Sequence, residues 1–162
     1  MATALRIDPD KCTGCMQCEL ACSWVQTGQF QPSASLIKVF IFDEQAAYTP
    51  YTCFQCNEAW CMTVCPVNAI GVNPVTGAKV VLEDACVGCA LCVIACPFGT
   101  AYLSPSTHKA TKCDLCGGEP ACAMACPTEC ITVADSSNGQ EWTARLASQV
   151  SARFQEMLQG LA

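Results

Sequence analysis

The sequence predicts an α+β chain of two small cysteine-stapled modules, one nested within the other, followed by a C-terminal helix. Three observations predict it. Sixteen of the 17 cysteines in the 162 residues fall into four quartets between Cys12 and Cys126. Short β-branched runs sit between and after the quartets, at lengths that suit strands. Beyond the last quartet, one apolar stripe recurs at helical spacing. The aliphatic core is thin, because the 52% hydrophobic fraction counts the cysteines and aromatics make up only 7%. A chain of this kind needs cross-links to hold it.

Taken in order, Thr3 to Asp8 reads as one edge strand. The first quartet follows at Cys12, Cys15, Cys18 and Cys22. Ser23 then stands where the other quartets carry Pro, so a helix is expected to run on through Trp24 and Val25 to Gly28. Leu36 to Phe42 is β-branched and aromatic, bounded by Pro32 and Asp43, and reads as a buried strand. Ala46 to Thr52 contains Pro50 and reads as a loop. The second quartet is Cys53, Cys56, Cys61 and Cys65. Val67 to Val72 and Ala78 to Leu82 flank the turn chemistry of Asn73-Pro74-Val75-Thr76-Gly77, which predicts a hairpin. The third quartet is Cys86, Cys89, Cys92 and Cys96. Ala101-Tyr102-Leu103 is a short strand, followed by a Ser/Pro/Thr loop. The fourth quartet is Cys113, Cys116, Cys122 and Cys126, and Ile131-Thr132-Val133 is a strand candidate. Asp135 to Gly139 is a linker. Asn138 and Glu141 form a capping-box-like start for a helix whose apolar face is Trp142, Leu146, Val150, Phe154, Leu158 and Leu161. That face either covers the protein's own core or docks on another subunit.

Cysteine at this density means disulfides or metal. The N-terminal segment has no apolar signal core and no twin-arginine pair, so a reducing compartment, the cytoplasm, is expected. No stretch approaches the roughly 20 apolar residues of a membrane helix. The formal net charge of −6 disfavours nucleic acid as a partner. Acidity of this kind suits basic docking patches on protein partners, or simply solubility. In Cys86-Val87-Gly88-Cys89-Ala90-Leu91-Cys92-Val93-Ile94-Ala95-Cys96-Pro97, three thiols fall within seven residues. Zinc normally takes its four ligands as two separated Cys-x-x-Cys pairs. Three ligands on one tight loop suit an iron–sulfur cubane instead. The run has the bacterial 4Fe–4S pattern, in which the fourth Cys serves the neighbouring cluster. Sixteen cysteines are the ligand count for four 4Fe–4S clusters.

Cys53-Phe54-Gln55-Cys56, Cys65-Pro66-Val67-Asn68-Ala69-Ile70, Ala95-Cys96-Pro97-Phe98-Gly99 and Lys112-Cys113-Asp114-Leu115-Cys116 resemble the four-cluster electron-transfer subunits of dimethyl-sulfoxide-reductase-type and formate-dehydrogenase-type enzymes. The resemblance covers roughly Leu5 to Val133. It implies two bacterial-ferredoxin-like modules: an inner one at about 53–106 and an outer one at about 1–34 with 107–134. Together they fill 1–134, and 135–162 is linker and helix. It also implies ligand exchange between quartets. Cys53, Cys56 and Cys61 would share a cluster with Cys96, and Cys86, Cys89 and Cys92 with Cys65. Cys12, Cys15 and Cys18 would pair with Cys126, and Cys113, Cys116 and Cys122 with Cys22. The chain departs from many relatives at Trp60, where they carry Pro. The compact form looks most like the small subunit of tungsten aldehyde oxidoreductases. Molybdenum formate dehydrogenase and hydrogenase subunits, and a free polyferredoxin shuttle, are the alternatives. A zinc-stapled interaction module is the remote one.

No nucleophile–base pair, phosphate loop or paired-carboxylate site stands out, so the expected role is non-catalytic electron transfer. The implied partners are a large tungsten- or molybdenum-pterin subunit, a flavin- or NAD-dependent electron acceptor, and further copies of the chain. Cys130, the remaining cysteine, reads as a buried inert thiol, with a ligand or redox role as the other reading. His108 reads as a solvated loop residue. Lys112 adjoins Cys113, and its charge either raises a cluster potential or, on the surface, is screened by solvent. Trp24 and Trp60 read as covers that exclude water from clusters. Gly14, Gly88, Gly117 and Gly118 are small enough to let backbone N–H groups approach sulfur.

Overall fold

A computed structural model describes residues 3–43 and 46–135, together with the single positions 148, 152, 155 and 159. Its elements are small and numerous. β1 (Thr3–Ile7) leads through a 3-10 turn, Pro9–Lys11, into α1 (Gln17–Thr27). β2 (Lys38–Phe42) and β3 (Ala47–Tyr51) follow. Next come α2 (Trp60–Thr63), β4 (Ile70–Val72), β5 (Lys79–Val81) and α3 (Leu91–Ala95). β6 (Tyr102–Leu103), β7 (Ala110–Thr111), α4 (Ala121–Met124) and β8 (Ile131–Asp135) complete the order. All strands among the described residues pair antiparallel, as β1–β8, β2–β3, β4–β5 and β6–β7.

The β1–β8 pair joins the two ends of the cysteine-rich region, with Ile7 opposite Ile131 and Leu5 opposite Val133. Leu5, Ile7 and Ile131 point into one core with Leu36, Ile37, Phe54, Ala78 and Leu115. The Thr3 N–H donates to the Thr76 carbonyl at 2.7 Å, which ties this sheet to the β4–β5 turn. That turn is held as the sequence predicts: the Asn73 side-chain oxygen accepts from the N–H groups of Val75 and Thr76, the Asx-turn chemistry of such loops.

α1 runs on past Cys22 because Ser23 keeps the N–H that Pro would lack. Ser23 is fully buried, its hydroxyl donates to the Leu20 carbonyl at 2.9 Å, and it accepts from the Gln31 N–H at 3.1 Å. Gly28, at φ +69°, ends the helix with its N–H on the Trp24 carbonyl, a left-handed cap that suits glycine.

Two expectations are corrected. Ala47–Tyr51 is a strand, not a loop, although it contains Pro50. Val39 lies opposite Pro50, and its N–H donates to a Glu19 carboxylate oxygen on α1 rather than to β3. Val39 and Pro50 are thus a non-hydrogen-bonded pair, in which no ladder donor is needed from Pro50. The Ser/Pro/Thr loop after β6 leads into β7, which pairs Tyr102 with Thr111. β2 is shorter than expected, because Leu36 and Ile37 are buried just before it while Ile41 faces outward.

Edge-to-face rings join the β2–β3 hairpin to the rest. Phe40 meets Tyr51, Tyr51 meets Phe54 at 5.1 Å, and Phe54 meets Phe98 at 4.5 Å. The Tyr51 hydroxyl donates to the Phe98 carbonyl at 3.0 Å. The apolar stripe from Trp142 to Leu161 lies outside the described residues. Among the described residues, no helix is long and apolar enough to cross a membrane.

Ile131 is only 1% exposed at the centre of the core. Ile131→Ala is expected to cost about 2–5 kcal/mol of stability. The check is denaturant unfolding of the metal-loaded protein, in which the midpoint must fall.

Candidate metal centres

The backbone at the quartets is bent in the same way four times. The residue before the second cysteine has positive φ in each: Gly14 at +70°, Gln55 at +51°, Gly88 at +71° and Leu115 at +61°. Such alternation turns successive N–H groups to one side and makes a concavity for anions. Two of the four residues are not glycine. A non-glycine residue there costs roughly 1–2 kcal/mol, so the surrounding packing must hold the loop. Leu115 is fully buried. Gln55 is pinned through its side chain, which donates to the Cys113 carbonyl at 2.6 Å and accepts from the Lys79 N–H at 2.8 Å. A second bend recurs three residues after the last cysteine of quartets two, three and four, at Asn68, Gly99 and Glu129.

Helices place the third cysteine of each quartet: Cys18 in α1, Cys61 in α2, Cys92 in α3 and Cys122 in α4. The tertiary packing then gathers cysteines across quartets. One partly open cavity is lined by Cys53, Cys56 and Cys61 together with Cys96. A second is lined by Cys113, Cys116 and Cys122 together with Cys22. A third is lined by Cys86, Cys89 and Cys92 together with Cys65. Cys12, Cys15 and Cys18 share the first loop. Burial first, and then the neighbouring Glu19, Cys12 and Cys15, push the Cys18 thiol up to about 12. Cys126 is linked to that loop through Cys130, which lies against both Cys12 and Cys126.

The four groups also adjoin one another in a definite order. Burial raises the Cys122 thiol most, with Cys18 of the first loop among its further neighbours. Burial takes Cys113 up to about 12, with Cys53 adding to it. Burial raises Cys92 as well, with Cys61 next to it. The sequence of groups is therefore Cys12–Cys15–Cys18, then Cys113–Cys116–Cys122, then Cys53–Cys56–Cys61, then Cys86–Cys89–Cys92. Cys15 and Cys89, in the first and last of these, are the exposed cysteines among the seventeen.

The sulfurs are hydrogen-bonded as anions would be. Backbone N–H groups donate to Cys22 from Leu36 at 3.3 Å, to Cys65 from Ala69 at 3.2 Å, and to Cys86 from Ala110 at 3.3 Å. Cys96 accepts from the Thr100 N–H at 3.4 Å and adjoins its hydroxyl at 3.5 Å. Burial works against ionisation of Cys96, but these bonds outweigh it and the thiol is lowered. Cys126 is lowered in the same way, with burial opposed by the Ile131 N–H and by Thr128. Hydrogen bonds to the charged form favour that form. Thr100 and Thr128 belong to no motif, so the sequence gives no signal for them. The donor set is all thiol, spread on concave loops with N–H groups aimed at sulfur, which fits a cubane. Among the described residues, no three His, Cys, Asp or Glu side chains converge closely enough to hold a single metal ion. A cubane spreads its four sulfur ligands around several irons and needs no such convergence.

A Cβ on Gly14 would fall on the Tyr48 ring, and one on Gly88 would fall on the His108 carbonyl. The small size of these two glycines thus admits neighbouring segments. His108 is exposed, as expected, so its carbonyl rather than its ring matters here. Cys130 is buried and lies against Cys12, and burial pushes its thiol well up. Trp60 lines the mouth of the Cys53 cavity, whereas Trp24 stacks on Phe30 and stays half-exposed. Lys112 is the main correction: it is buried, 6% exposed, not on the surface.

Known iron–sulfur proteins are similar to this chain. The model of the 4Fe-4S dicluster domain matches residues 44–136, and that of a 4Fe-4S binding domain matches residues 5–26. The aliphatic sulfonate oxidoreductase, polyferredoxin-like subunit, of Pyrococcus furiosus is 43% identical over 74% of this chain and 69% of its own. One of the polypeptides of polysulfide reductase from Wolinella succinogenes is 33% identical over 93% of this chain and 86% of its own. The electron transport protein HydN of Escherichia coli is 32% identical over 91% of this chain and 96% of its own.

Gly88→Ala would force a side chain onto the His108 carbonyl at a positive φ. It is expected to destabilise the protein by about 1–2 kcal/mol from the backbone alone. Thermal denaturation should show a lower midpoint than for Gly71→Ala, where nothing lies within 4 Å of the added carbon and φ is not positive.

Proposed function

The chain belongs to the 4Fe-4S dicluster family, as an iron–sulfur electron-transfer subunit of oxidoreductase complexes, and from that premise we propose how it carries electrons. Four 4Fe–4S clusters relay single electrons between a catalytic oxidoreductase subunit and a second redox partner. Cys12, Cys15, Cys18 and Cys126 hold one cluster, and Cys113, Cys116, Cys122 and Cys22 the next. Cys53, Cys56, Cys61 and Cys96 hold the third, and Cys86, Cys89, Cys92 and Cys65 the fourth. One observation carries this grouping: three separate cavities are each lined by three cysteines of one quartet and the last cysteine of another. The clusters supply one-electron chemistry, and the protein supplies binding, position and electrostatics. Thiols of successive groups adjoin, so the clusters form a line. The exposed Cys15 and Cys89 mark its two ends, where partners dock. The fold is then two ferredoxin-like modules, with the β4–β5 hairpin in the inner one, the β1–β8 pair closing the outer one, and the β6–β7 pair at the boundary between them.

The partner we favour is a tungsten-pterin aldehyde oxidoreductase, on the resemblance of the cysteine motifs to those of its small subunit. The similarity to a polyferredoxin-like subunit of a sulfonate oxidoreductase and to a component of polysulfide reductase supports a catalytic oxidoreductase subunit of some kind.

Two measurements test this reading. The native assembly is expected to contain about 16 irons per copy of this chain and to co-elute with a pterin-bearing large subunit holding tungsten. Zinc in place of iron sinks the cluster reading, and a solitary iron-loaded monomer sinks the subunit reading. Cys126→Ala is expected to disturb the cluster of the Cys12–Cys18 loop and to spare that of the Cys113–Cys122 loop. The reverse pattern, read by electron paramagnetic resonance, contradicts the exchange.

A further inference from the structure

The three cavities differ in the charge of their walls. Asp114 lines the one containing Cys22, and no charged residue lines the one containing Cys65. The cavity of Cys53, Cys56, Cys61 and Cys96 is lined by two lysines, Lys79 and Lys112, and by no acidic residue. Lys112 reaches it from the end of β7, one residue before Cys113, so the backbone of one quartet delivers a cation to the cavity of another. Its ammonium donates to the Lys79 carbonyl and, at 3.1 Å, to the Cys113 carbonyl. The Lys79 ammonium donates to the Gln55 carbonyl at 3.1 Å, beside Cys56.

Carbonyl oxygens satisfy the hydrogen bonding of a buried ammonium but do not neutralise it. An unpaired buried charge is costly, and the walls of this cavity offer no carboxylate. The negative charge at hand is that of the thiolates and what they hold. Lys112 and Cys61 line the walls of the same cavity. An oxidised cubane with four thiolates carries roughly −2, and gaining one electron makes it more negative, so the bound group's own charge must be counted. A fixed cation therefore favours the reduced form. At 6% exposure, solvent screens that effect far less than it would on the surface.

We propose that Lys112, assisted by Lys79, makes the cluster of Cys53, Cys56, Cys61 and Cys96 the first of the four to accept an electron. The inference rests on the ligand grouping given under Proposed function. One electron is gained from an external reductant; no bond forms or breaks, and no proton is required. An electron entering at either end of the line then comes to rest at an interior cluster, between the Cys113 and Cys86 groups. Lys112 acts as a positioning charge, not as a ligand.

The test is a dithionite potentiometric titration of the intact iron-loaded protein, followed by electron paramagnetic resonance, with Lys112→Met, Lys112→Arg and Lys79→Met. Iron content is measured first. A count far below about 16 irons per chain in the unmodified protein overturns the ligand grouping itself. With the count intact, Lys112→Met is expected to lower the highest of the four midpoints. The reduced-to-oxidised ratio at fixed potential should fall about tenfold, which is about 59 mV for a one-electron couple. Lys112→Arg keeps the charge and is expected to restore most of that shift. The moving midpoint must be the one that Cys61→Ser also alters. If Lys112→Met fails to retain iron, Lys79→Met carries the same test, with a smaller shift of the same sign. Four unmoved midpoints, four midpoints moving together, or a shift confined to a different cluster overturns the proposal.

Discussion

Sulfur crowded against sulfur is the constraint on which the rest of this chain depends. Thiols of one loop lie against each other and against those of the next loop, and burial raises several of them: Cys18 and Cys113 to about 12, and Cys122 further. The burial that raises these thiols opposes their ionisation. Ionising them together would set like charges side by side in a poorly solvated interior. Metal that demands thiolates converts this crowding into attraction, and its binding is coupled to folding and proton release. The short elements follow from this. Helices of four or five residues and two-residue strands are far below the length at which they hold by themselves, so their neighbours and whatever the loops grip must fix them.

The apolar core does the complementary part of the work. It is one cluster, in which Leu5, Ile7 and Ile131 from the paired ends meet Phe54, Ala78 and Leu115 from the middle of the chain. The same packing that buries Leu115 holds its backbone at positive φ, and the Gln55 side chain does likewise for its own loop. Local strain at the cysteine loops is thus sustained by contacts remote in sequence, as expected where a site is held in an unfavourable conformation. The hydrogen bonds from Leu36, Ala69, Thr100 and Ala110 to sulfur belong to the same arrangement, since each donor lies outside the loop of the first three cysteines of its own quartet or comes from another segment.

Equivalent loops in unequal surroundings give the chain its direction. All four quartets bend alike at the residue before the second cysteine, yet the cavity walls carry two lysines in one case, an aspartate in another and no charge in a third. Reduction potentials of such clusters span hundreds of millivolts with charge, hydrogen bonding and exposure. Sequence repetition supplies the sites, and the packing around each one differentiates them.

Local chemistry was legible from the residues alone. The quartet spacings marked four loops. Ser23 in place of Pro predicted that α1 would run to Gly28, and Asn73 to Gly77 predicted the β4–β5 hairpin. These depend on neighbours a few residues apart, where backbone geometry leaves few choices. Pro50 was misleading, because a breaker is harmless where its missing N–H faces away from the ladder, and pairing partners decide that. The burial of Lys112, the filling of Gly88 by the His108 carbonyl, and the role of Thr100 were equally hidden. Each arises where segments far apart in the chain come within a few ångströms. Spacing along the backbone fixes what one loop can grip, but only the packed fold decides which distant side chains surround it and with what charge.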